Sequence, residues 1–393
     1  IPESISKLAL EKTSVRLNPT GSILIAMYGA TIGKVGILTF PATTNQACCA
    51  CLPIEIFNEY LFYFLMSQKV AFVKQGEGGA QPNISKEKIV ATLMPLPPLA
   101  EQYRIVAKIK ELFPLVKKYK EAYSAVSSLN NSFPDLLKKS ILQEAVQGKL
   151  VPQDPSDEPA SVLLERIRTE KEELIKQGKI KRDKKKSVIF KGDDNSYYER
   201  VGDIISNIDD EIPFEVPQNW EWSRLQTICY PITDGTHKTP TYSDSGYIFL
   251  SAKNITTGKI NWNDIMYIPK SLHDELYSRV SPKMNDILLA KNGTTGVAAI
   301  VDRECEFDIY VTLALLRVIN NNISSQYLLK IIASNTIQDY FKSSLKGIGV
   351  PNLHLEHIRT TLIPIPPINE QNKIVEKIYQ YYSLLDSIVQ NIE

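Results

Sequence analysis

The residues of this 393-residue chain that come nearest to a nucleotide-binding motif lie in its glycine-rich turns. Gly29–Val35 resembles a phosphate-binding loop, but it is one residue too short, and Val35 stands where a Ser or Thr hydroxyl would hold magnesium. A related stretch ending at Gly296 has no following Lys, and Gly347–Gly349 is only a fragment of a dinucleotide-binding fingerprint. We therefore predict that these glycines form tight turns.

The residues that could ligate a metal are too few or too close together. Cys48, Cys49 and Cys51 have no second cysteine or histidine cluster at zinc spacing. His354 and His357 are three residues apart on a predicted helix, but two ligands do not make a metal site. The sequence therefore predicts no metal site.

No catalytic motif is complete either. Pro134-Asp135 resembles the start of a nuclease motif, yet both residue types are also preferred where helices begin. The chain has no Asn/Asp-Pro-Pro-aromatic tetrad of an amino-methyltransferase and no helicase motif. We expect no catalytic residues.

The chain repeats a two-part pattern. Pro82-Asn83-Ile84 is followed by Pro97–Gln102, and Pro351-Asn352-Leu353 is followed at the same distance by Pro366–Gln371. Both parts are offset by 269 residues, far beyond the roughly 20–50 residues of a solenoid repeat. The pattern predicts a duplicated domain, each copy followed by a helix.

The repeat extends upstream of those segments. Gly21–Gly33 matches Asn285–Gly296 at an offset of 264, and Ile1 matches Ile268 at an offset of 267. The second copy begins near residue 217, so we expect the first domain to lack its N-terminal part.

Composition is that of an ordinary globular protein, with 43% hydrophobic residues and a formal net charge of +1. No run of 18 apolar residues predicts a membrane span, and the cysteines do not form a disulfide framework, so we expect a reducing cytoplasm. The charge is segregated, with net +4 over 99–150 and net −4 over 151–216.

Five segments follow from these patterns. We predict a first domain at 1–97, a helical region at 98–150, a charged linker with a helix at 151–216, a second domain at 217–365 and a second helix at 366–393. The basic run inside the linker has two explanations, a solvated surface or a contact with phosphate.

Both predicted long helices carry a heptad of apolar residues, which is typical of a coiled coil. We expect the two helices to pair in antiparallel fashion; in the alternative, each packs on its own domain. Pro114 is expected to kink or split the first helix. The predicted seam is Ile105, Ile109, Leu112, Val116, Tyr119, Tyr123 and Val126 in the first helix, and Ile374, Ile378, Tyr381, Leu385 and Ile388 in the second.

Taken together, several segments resemble the DNA specificity subunit of type I restriction-modification systems. They are the two Pro-Pro-Leu/Ile-x-Glu-Gln motifs that precede the helices, Gln147–Pro155, Glu158–Ile167, Pro217–Trp222 and Thr233–Pro240. The resemblance implies an α/β (α+β) fold with two similar target-recognition domains separated by two long helices in an antiparallel coiled coil. The short first domain and the helix ending at Glu393 depart from the family pattern.

The resemblance also implies a non-catalytic subunit that reads a bipartite target in double-stranded DNA. Its partners would be two methyltransferase subunits and a restriction/translocase subunit, with no membrane. It would bind no cofactor itself, and S-adenosylmethionine is expected on the methyltransferase.

Side chains that read base edges are Asn, Gln, Arg, Lys, Ser and Thr. On this basis we select polar residues in and around the glycine turns, although these turns equally allow a purely structural role. The candidates are Tyr28, Thr31, Lys34, Gln75 and Gln81 in the first domain, and Thr233, Asp234, Thr236, His237, Lys238, Lys253, Asn254, Lys291, Asn292, Thr294, Thr295 and Lys346 in the second.

Two other functions remain open at this point. A protein–protein scaffold would show no sequence preference and no steep salt dependence of DNA binding. The specificity part of a fused methyltransferase would be joined to a catalytic motif elsewhere in the complete gene.

Overall fold

The chain divides into two compact units, Ile1–Leu129 and Asn130–Glu393, called here the first and the second unit. The computed structural model describes residues 4–77, 82–182, 186–319, 322–345 and 351–392. Both units mix helices and strands, so the predicted fold class is confirmed.

The first unit is built around a small antiparallel sheet with the strand order β2-β1-β3. All four residues of the central strand are apolar, but successive side chains lie on opposite faces, so Ile23 and Ile25 are buried with Phe72 and Ile84. The elements are α1 (Lys7–Lys12), β1 (Ile23–Ala26), β2 (Val35–Ile37), β3 (Cys48–Cys51), α2 (Asn58–Ser67), α3 (Lys69–Gln75), α4 (Lys86–Val90) and the first part of α5 (Leu99–Val146).

The second unit contains the end of α5 and the remaining elements. The helices are α6 (Ala160–Lys176), α7 (Leu225–Ile228), α8 (Lys270–Arg279), α9 (Ser325–Ile332), α10 (Asn335–Ser343), α11 (Leu355–Thr360) and α12 (Ile368–Ile392). The strands are β4 (Ser187–Lys191), β5 (Tyr197–Val201), β6 (Ile204–Asn207), β7 (Glu221–Arg224), β8 (Cys229–Asp234), β9 (Tyr247–Leu250), β10 (Met266–Ile268), β11 (Ile287–Ala290), β12 (Ala298–Ile300), β13 (Phe307–Ile309), β14 (Leu313–Val318) and β15 (Leu362–Ile365).

The strands that the structure describes in the second unit form four separate sheets. The orders are β12-β11-β14-β8, β10-β9-β13, β15-β7 and β4-β5-β6. All four residues of β11 are buried, because one face packs on the cluster containing α9 and α12 and the other on the cluster beneath β9 and β13. A strand covered on both faces reads as a continuous apolar run, and Ile287–Ala290 is such a run.

Helix α5 continues through Pro114 without a break, so the expected split does not occur. Proline removes one hydrogen bond to the carbonyl four residues earlier, at Lys110. Residues 110–129 are exposed, so water can bond to that carbonyl and the helix continues.

The segment 151–216 is more structured than a charged linker with a helix. Helix α6 is present and ends before Gly178, which takes a positive φ of 69°. The sheet β4-β5-β6 follows, and sequence reasoning did not predict it. Its strands are only four or five residues long, and β4 and β5 contain charged residues within an acidic segment, so no clear apolar alternation marks them in the sequence.

Candidate nucleic-acid interface

The glycine turn is built in the same way in both units. Strand β1 leads into a turn closed by a hydrogen bond of 2.9 Å from Gly33 N to Ala26 O. Strand β11 leads into a turn closed at the same length from Gly296 N to Ala290 O. The φ angles of Gly33 and Gly296 are 74° and 89°, which L-residues rarely adopt, so both positions require glycine.

The repeated Pro-Asn segment lies beside that turn in each unit. In the first unit Ile84 N donates to Met27 O at 2.9 Å, and Asn83 forms a β-bridge with Tyr28. In the second unit Leu353 N donates to Lys291 O at 2.9 Å, and Asn352 forms a β-bridge with Asn292. The N-cap positions of the helices that follow are Ser85 and His354.

The candidate residues of the first unit are on the surface wherever the structure describes them. Exposed side chains are Tyr28, Thr31, Lys34 and Gln75, and Gln81 lies outside the described residues. Tyr28 is 40% exposed and lies next to the Asn83 bridge, so an aromatic ring and two polar side chains, Thr31 and Lys34, follow one another along this turn.

In the second unit, eight candidates reach the surface. His237, Lys238, Lys253 and Thr294 are exposed, and Thr233, Thr236, Asn292 and Thr295 are partly exposed. Lys346 lies outside the described residues.

Three other candidates are buried and already bonded. Lys291 Nζ forms an ion pair of 2.5 Å with Asp234 Oδ2, and the two residues are only 4% and 6% exposed. Asn254, 7% exposed, caps a short helical turn and donates from Nδ2 to the carbonyl of Asp264 at 2.7 Å. These three side chains cannot reach a base edge from there, and they leave the set of proposed contacts.

The buried ion pair has a different use, because it joins two turns. Asp234 is the last residue of β8, where the chain enters the Thr233–Thr239 turn, and Lys291 begins the glycine turn after β11. Arg279, which sequence reasoning missed, donates to the carbonyls of Asp234 and Gly235 at 3.4 and 3.3 Å. The ion pair therefore holds the exposed residues of both turns close together.

The Thr233–Thr239 turn also packs closely against the neighbouring strand β13. Thr236 N donates to Ile309 O at 3.1 Å, and a Cβ atom added to Gly235 would lie 1.8 Å from that same oxygen. No side chain fits at this close approach, so Gly235 fixes the path of the turn.

The Gln of each Pro-Pro-x-x-Glu-Gln motif clamps the start of a long helix. Gln102, 2% exposed, accepts from Phe57 N at 2.9 Å and donates to Pro97 O at 3.0 Å. Gln371, 0% exposed, accepts from Ser324 N at 2.9 Å and donates to Pro366 O at 3.1 Å. The duplication is thus one of side-chain contacts as well as of sequence.

The Glu that precedes each of these glutamines is buried in one copy of the motif and exposed in the other. Glu370 is 2% exposed and accepts from Trp220 Nε1 at 2.9 Å and from Gln153 Nε2 at 2.6 Å. Burial raises the pKa of the Glu370 carboxyl, and these two hydrogen bonds counter part of that rise. Glu101, its counterpart, is exposed.

Within the second unit, the end of α5 packs against α12. Lys138 Nζ lies 2.8 Å from Asp386 Oδ1, and Gln153 Nε2 bridges Gly148 O and Glu370 Oε1 at 3.2 and 2.6 Å. Lys138 of α5 thus lies near the C-terminal end of α12, and the loop just after α5 lies near its N-terminal end, so these parts of α5 and α12 run antiparallel. Antiparallel pairing of the two helices is therefore present in this unit.

The predicted seam residues fall into two groups. Ile374, Ile378 and Leu385 are buried with the second unit's core, Tyr381 is half-buried and Ile388 is exposed. In the first helix Ile105 and Ile109 are half-buried, whereas Leu112, Val116, Tyr119, Tyr123 and Val126 are 42–71% exposed. The seam residues from Leu112 to Val126 thus form an exposed apolar stripe on α5. The pairing of this stripe with another helix stays a prediction.

Within the described part of the chain, no group of three His, Cys, Asp or Glu side chains could hold a metal ion. Among those same residues, no helix is both long and apolar enough to span a membrane.

A model of a known protein family matches most of the chain. The family model described as the type I restriction modification DNA specificity domain matches residues 2–122 and 217–393. The chain belongs to this family of DNA specificity domains. Both glycine turns, both Pro-Asn segments and both Gln clamps of this specificity-domain protein lie inside the matched segments.

Curated relatives of this specificity-domain chain come from Escherichia coli among other sources. The type I restriction enzyme EcoAI specificity subunit is 28% identical over 367 residues, which cover 80% of this chain and 58% of that subunit. The EcoDI specificity subunit is 22% identical over 412 residues, which cover 99% of this chain and 76% of that subunit. The chain therefore spans less than two thirds of the EcoAI subunit.

A solved structure supports the fold. The chain is similar to one from a study of complex assembly and conformational transition of the type I R-M system, with a TM-score of 0.55 and 16% identity. The match covers 96% of this specificity-domain chain and 79% of that one.

Proposed function

We propose that this chain is the sequence-specific DNA-binding subunit of a type I restriction-modification complex. Each unit would read one half of a bipartite target in double-stranded DNA. The observation that carries the proposal is that the same exposed turn, with a Pro-Asn segment bridged to it, occurs once in each unit. A protein with a single DNA-reading surface would need only one copy of this turn.

The proposed contacts to DNA are the surface residues of these turns. In the first unit they are Tyr28, Thr31, Lys34 and Gln75. In the second they are Thr233, Thr236, His237, Lys238, Lys253, Asn292, Thr294 and Thr295. Amide, hydroxyl and ammonium groups of this kind bond base edges and phosphates.

The chain would supply recognition, and the chemistry would lie in its partners. These are two methyltransferase subunits, which would hold S-adenosylmethionine, and a restriction/translocase subunit. The relatives' names, each a specificity subunit of a type I restriction enzyme, support this division of labour. The complex would act on DNA in the cytoplasm.

The test is a map of DNA methylation. The complete gene is expressed with its neighbouring methyltransferase gene in a host that lacks adenine methylation, and modified bases are located by long-read sequencing. We expect one split motif with a modified adenine in each half. A stable complex of the two subunits that leaves the genome unmodified would favour the scaffold alternative.

A further inference from the structure

The sheet β4-β5-β6 lies between the two segments that match the family model, which leaves out residues 123–216. Strand β6 forms one edge of this sheet, and all four of its residues are exposed. Two of them are large and apolar, Ile204 at 70% exposed and Ile205 at 56%. The sheet therefore ends in an uncovered apolar edge.

The two isoleucines lie on opposite faces of the sheet, because successive side chains of a strand alternate. An edge strand also leaves a row of backbone N–H and C=O groups without a neighbouring strand. An added strand would bond to those groups and cover both isoleucines at once. Neither a flat surface nor a helix could cover both faces in this way.

The sheet itself is firmly held, so this edge is not a frayed end. The Arg224 guanidinium bonds both carboxylate oxygens of Glu199 on β5, at 3.1 and 2.7 Å, and Glu211 at 2.8 Å. Ile189, Tyr197 and Trp222 are buried in one cluster beneath it.

The net charge of the segment around β6 favours one kind of docking strand over others. Residues 187–216 contain eight Asp and Glu but only two Lys and Arg. Asp203 precedes β6, and Asp210 follows it three residues after its end; both are exposed. DNA and a second copy of the same edge would both bring negative charge to this place, whereas a basic strand would be attracted.

We propose that β6 docks a strand from a protein subunit of the same complex, with an apolar residue on each face and Lys or Arg at its ends. The proposal rests on the proposed function, because it assumes that the chain assembles with other subunits. It assigns this edge to protein assembly, apart from the turns proposed to read DNA.

Two variants test the docking edge. Ile204→Thr with Ile205→Thr keeps β-branched residues on the strand but removes apolar surface. Asp203→Lys with Asp210→Lys reverses the flanking charges. The probes are the purified methyltransferase subunit and the purified restriction subunit encoded beside this gene, each titrated against the full chain by calorimetry. We expect at least one of the two probes to bind each variant about tenfold more weakly than the parent chain.

Matched controls are Val162→Thr, an exposed apolar residue of α6, and Glu304→Lys, an exposed acid of the second unit. Neither should change binding of either subunit. Near-parental tryptophan fluorescence of the variants would show that the sheet is intact, because Trp222 lies in its core. If both probes bind both β6 variants as tightly as the parent chain, or bind the parent chain not at all, the docking proposal is overturned.

DNA binding separates this proposal from the proposed function. The β6 variants should bind target duplex as the parent chain does. If the variants no longer bind target duplex but still bind both subunits, β6 belongs to the DNA-binding surface and the docking proposal fails. If neither parent nor variants bind DNA while the variants lose a subunit, the docking edge stands and the proposed function fails.

Discussion

Lys291 and Asn292 are neighbours in the chain, but their surroundings differ. Lys291 is 4% exposed and paired with Asp234, whereas Asn292 is partly exposed beside Asn352. Sequence reasoning selected both for DNA contact because both residue types read bases. It could not separate them, since the partner of Lys291 lies 57 residues earlier in the chain.

We expect Lys291→Ala to lower the free energy of unfolding by about 3–5 kcal/mol, because it leaves Asp234 buried without a counter-charge. Asn292→Ala should change stability by only about 0.5 kcal/mol and weaken binding of a target duplex by about tenfold. Urea unfolding followed by tryptophan fluorescence, together with DNA titration, measures both. A Lys291→Ala chain that is stable but binds DNA weakly would restore Lys291 as a base reader.

At the scale of elements, the Gln clamps show why the Pro-Pro-x-x-Glu-Gln motif occurs twice. Each Gln ties the start of a long helix to the N-terminal end of another helix and to a proline carbonyl. The motif and its spacing are visible in the sequence, but no sequence pattern indicates Phe57 N or Ser324 N as the partner of the Gln side chain. These contacts exist only after the chain has folded back on itself.

Gln371→Ala should destabilise the second unit by about 1–3 kcal/mol, because it leaves the Ser324 N–H without its acceptor. All three tryptophans, Trp220, Trp222 and Trp262, lie in the second unit, so thermal unfolding followed by their fluorescence reports on that unit alone. Gln102→Ala is the matched control, and it should leave this transition unchanged. An equal shift for both variants would contradict the assignment of each clamp to its own unit.

The ion pair between Glu199 and Arg224 makes the stability of the second unit depend on pH. Burial by itself would raise the pKa of Glu199, but hydrogen bonds from Arg224 and Ser187 and the charge of Arg224 hold it below its ordinary 4.5. The pKa is lower in the folded protein than in the unfolded chain, so this pair stabilises the fold above pH 4.5. Its contribution is lost as the pH falls through the folded pKa.

Glu199→Gln should therefore reduce the slope of unfolding free energy against pH below 4.5. Urea unfolding at a series of pH values, followed by fluorescence, measures that slope. Glu304→Gln, at an exposed position, is the control and should keep the parent slope. A Glu199→Gln slope equal to the parent's would mean that the ion pair does not set acid stability.

At the scale of the whole molecule, the spacing between half-sites would be set by helix length. Helix α5 has 48 residues, which at about 1.5 Å per residue is roughly 72 Å. Its exposed seam keeps a heptad order, so removing one heptad shortens the helix while the same face remains apolar.

Deleting residues 117–123 should shorten the spacer by about 10 Å, or about three base pairs. We expect the gap of the methylated motif to shrink while the bases of each half stay the same, as mapped by long-read sequencing. Lys118→Ala with Lys120→Ala, which changes the same heptad without shortening it, should keep the parent motif. A deletion that altered the bases of a half-site would refute the role of the helix as a spacer.

The duplication, the mixed fold class, the two long helices and the glycine turns could all be predicted from the sequence, because each of these depends on the spacing of residues along the chain. A period in apolar residues or a glycine with positive φ is written in consecutive residues. Tertiary structure decided which candidates face outward. Lys291 and Asp234 became internal because they pair with each other across 57 residues of the chain, and a buried charge is tolerated only when it is paired. Asn254 became internal because its side chain bonds the carbonyl of Asp264. The sheet β4-β5-β6 likewise needed the folded chain, since Arg224 and Trp222 hold its short strands from outside the segment.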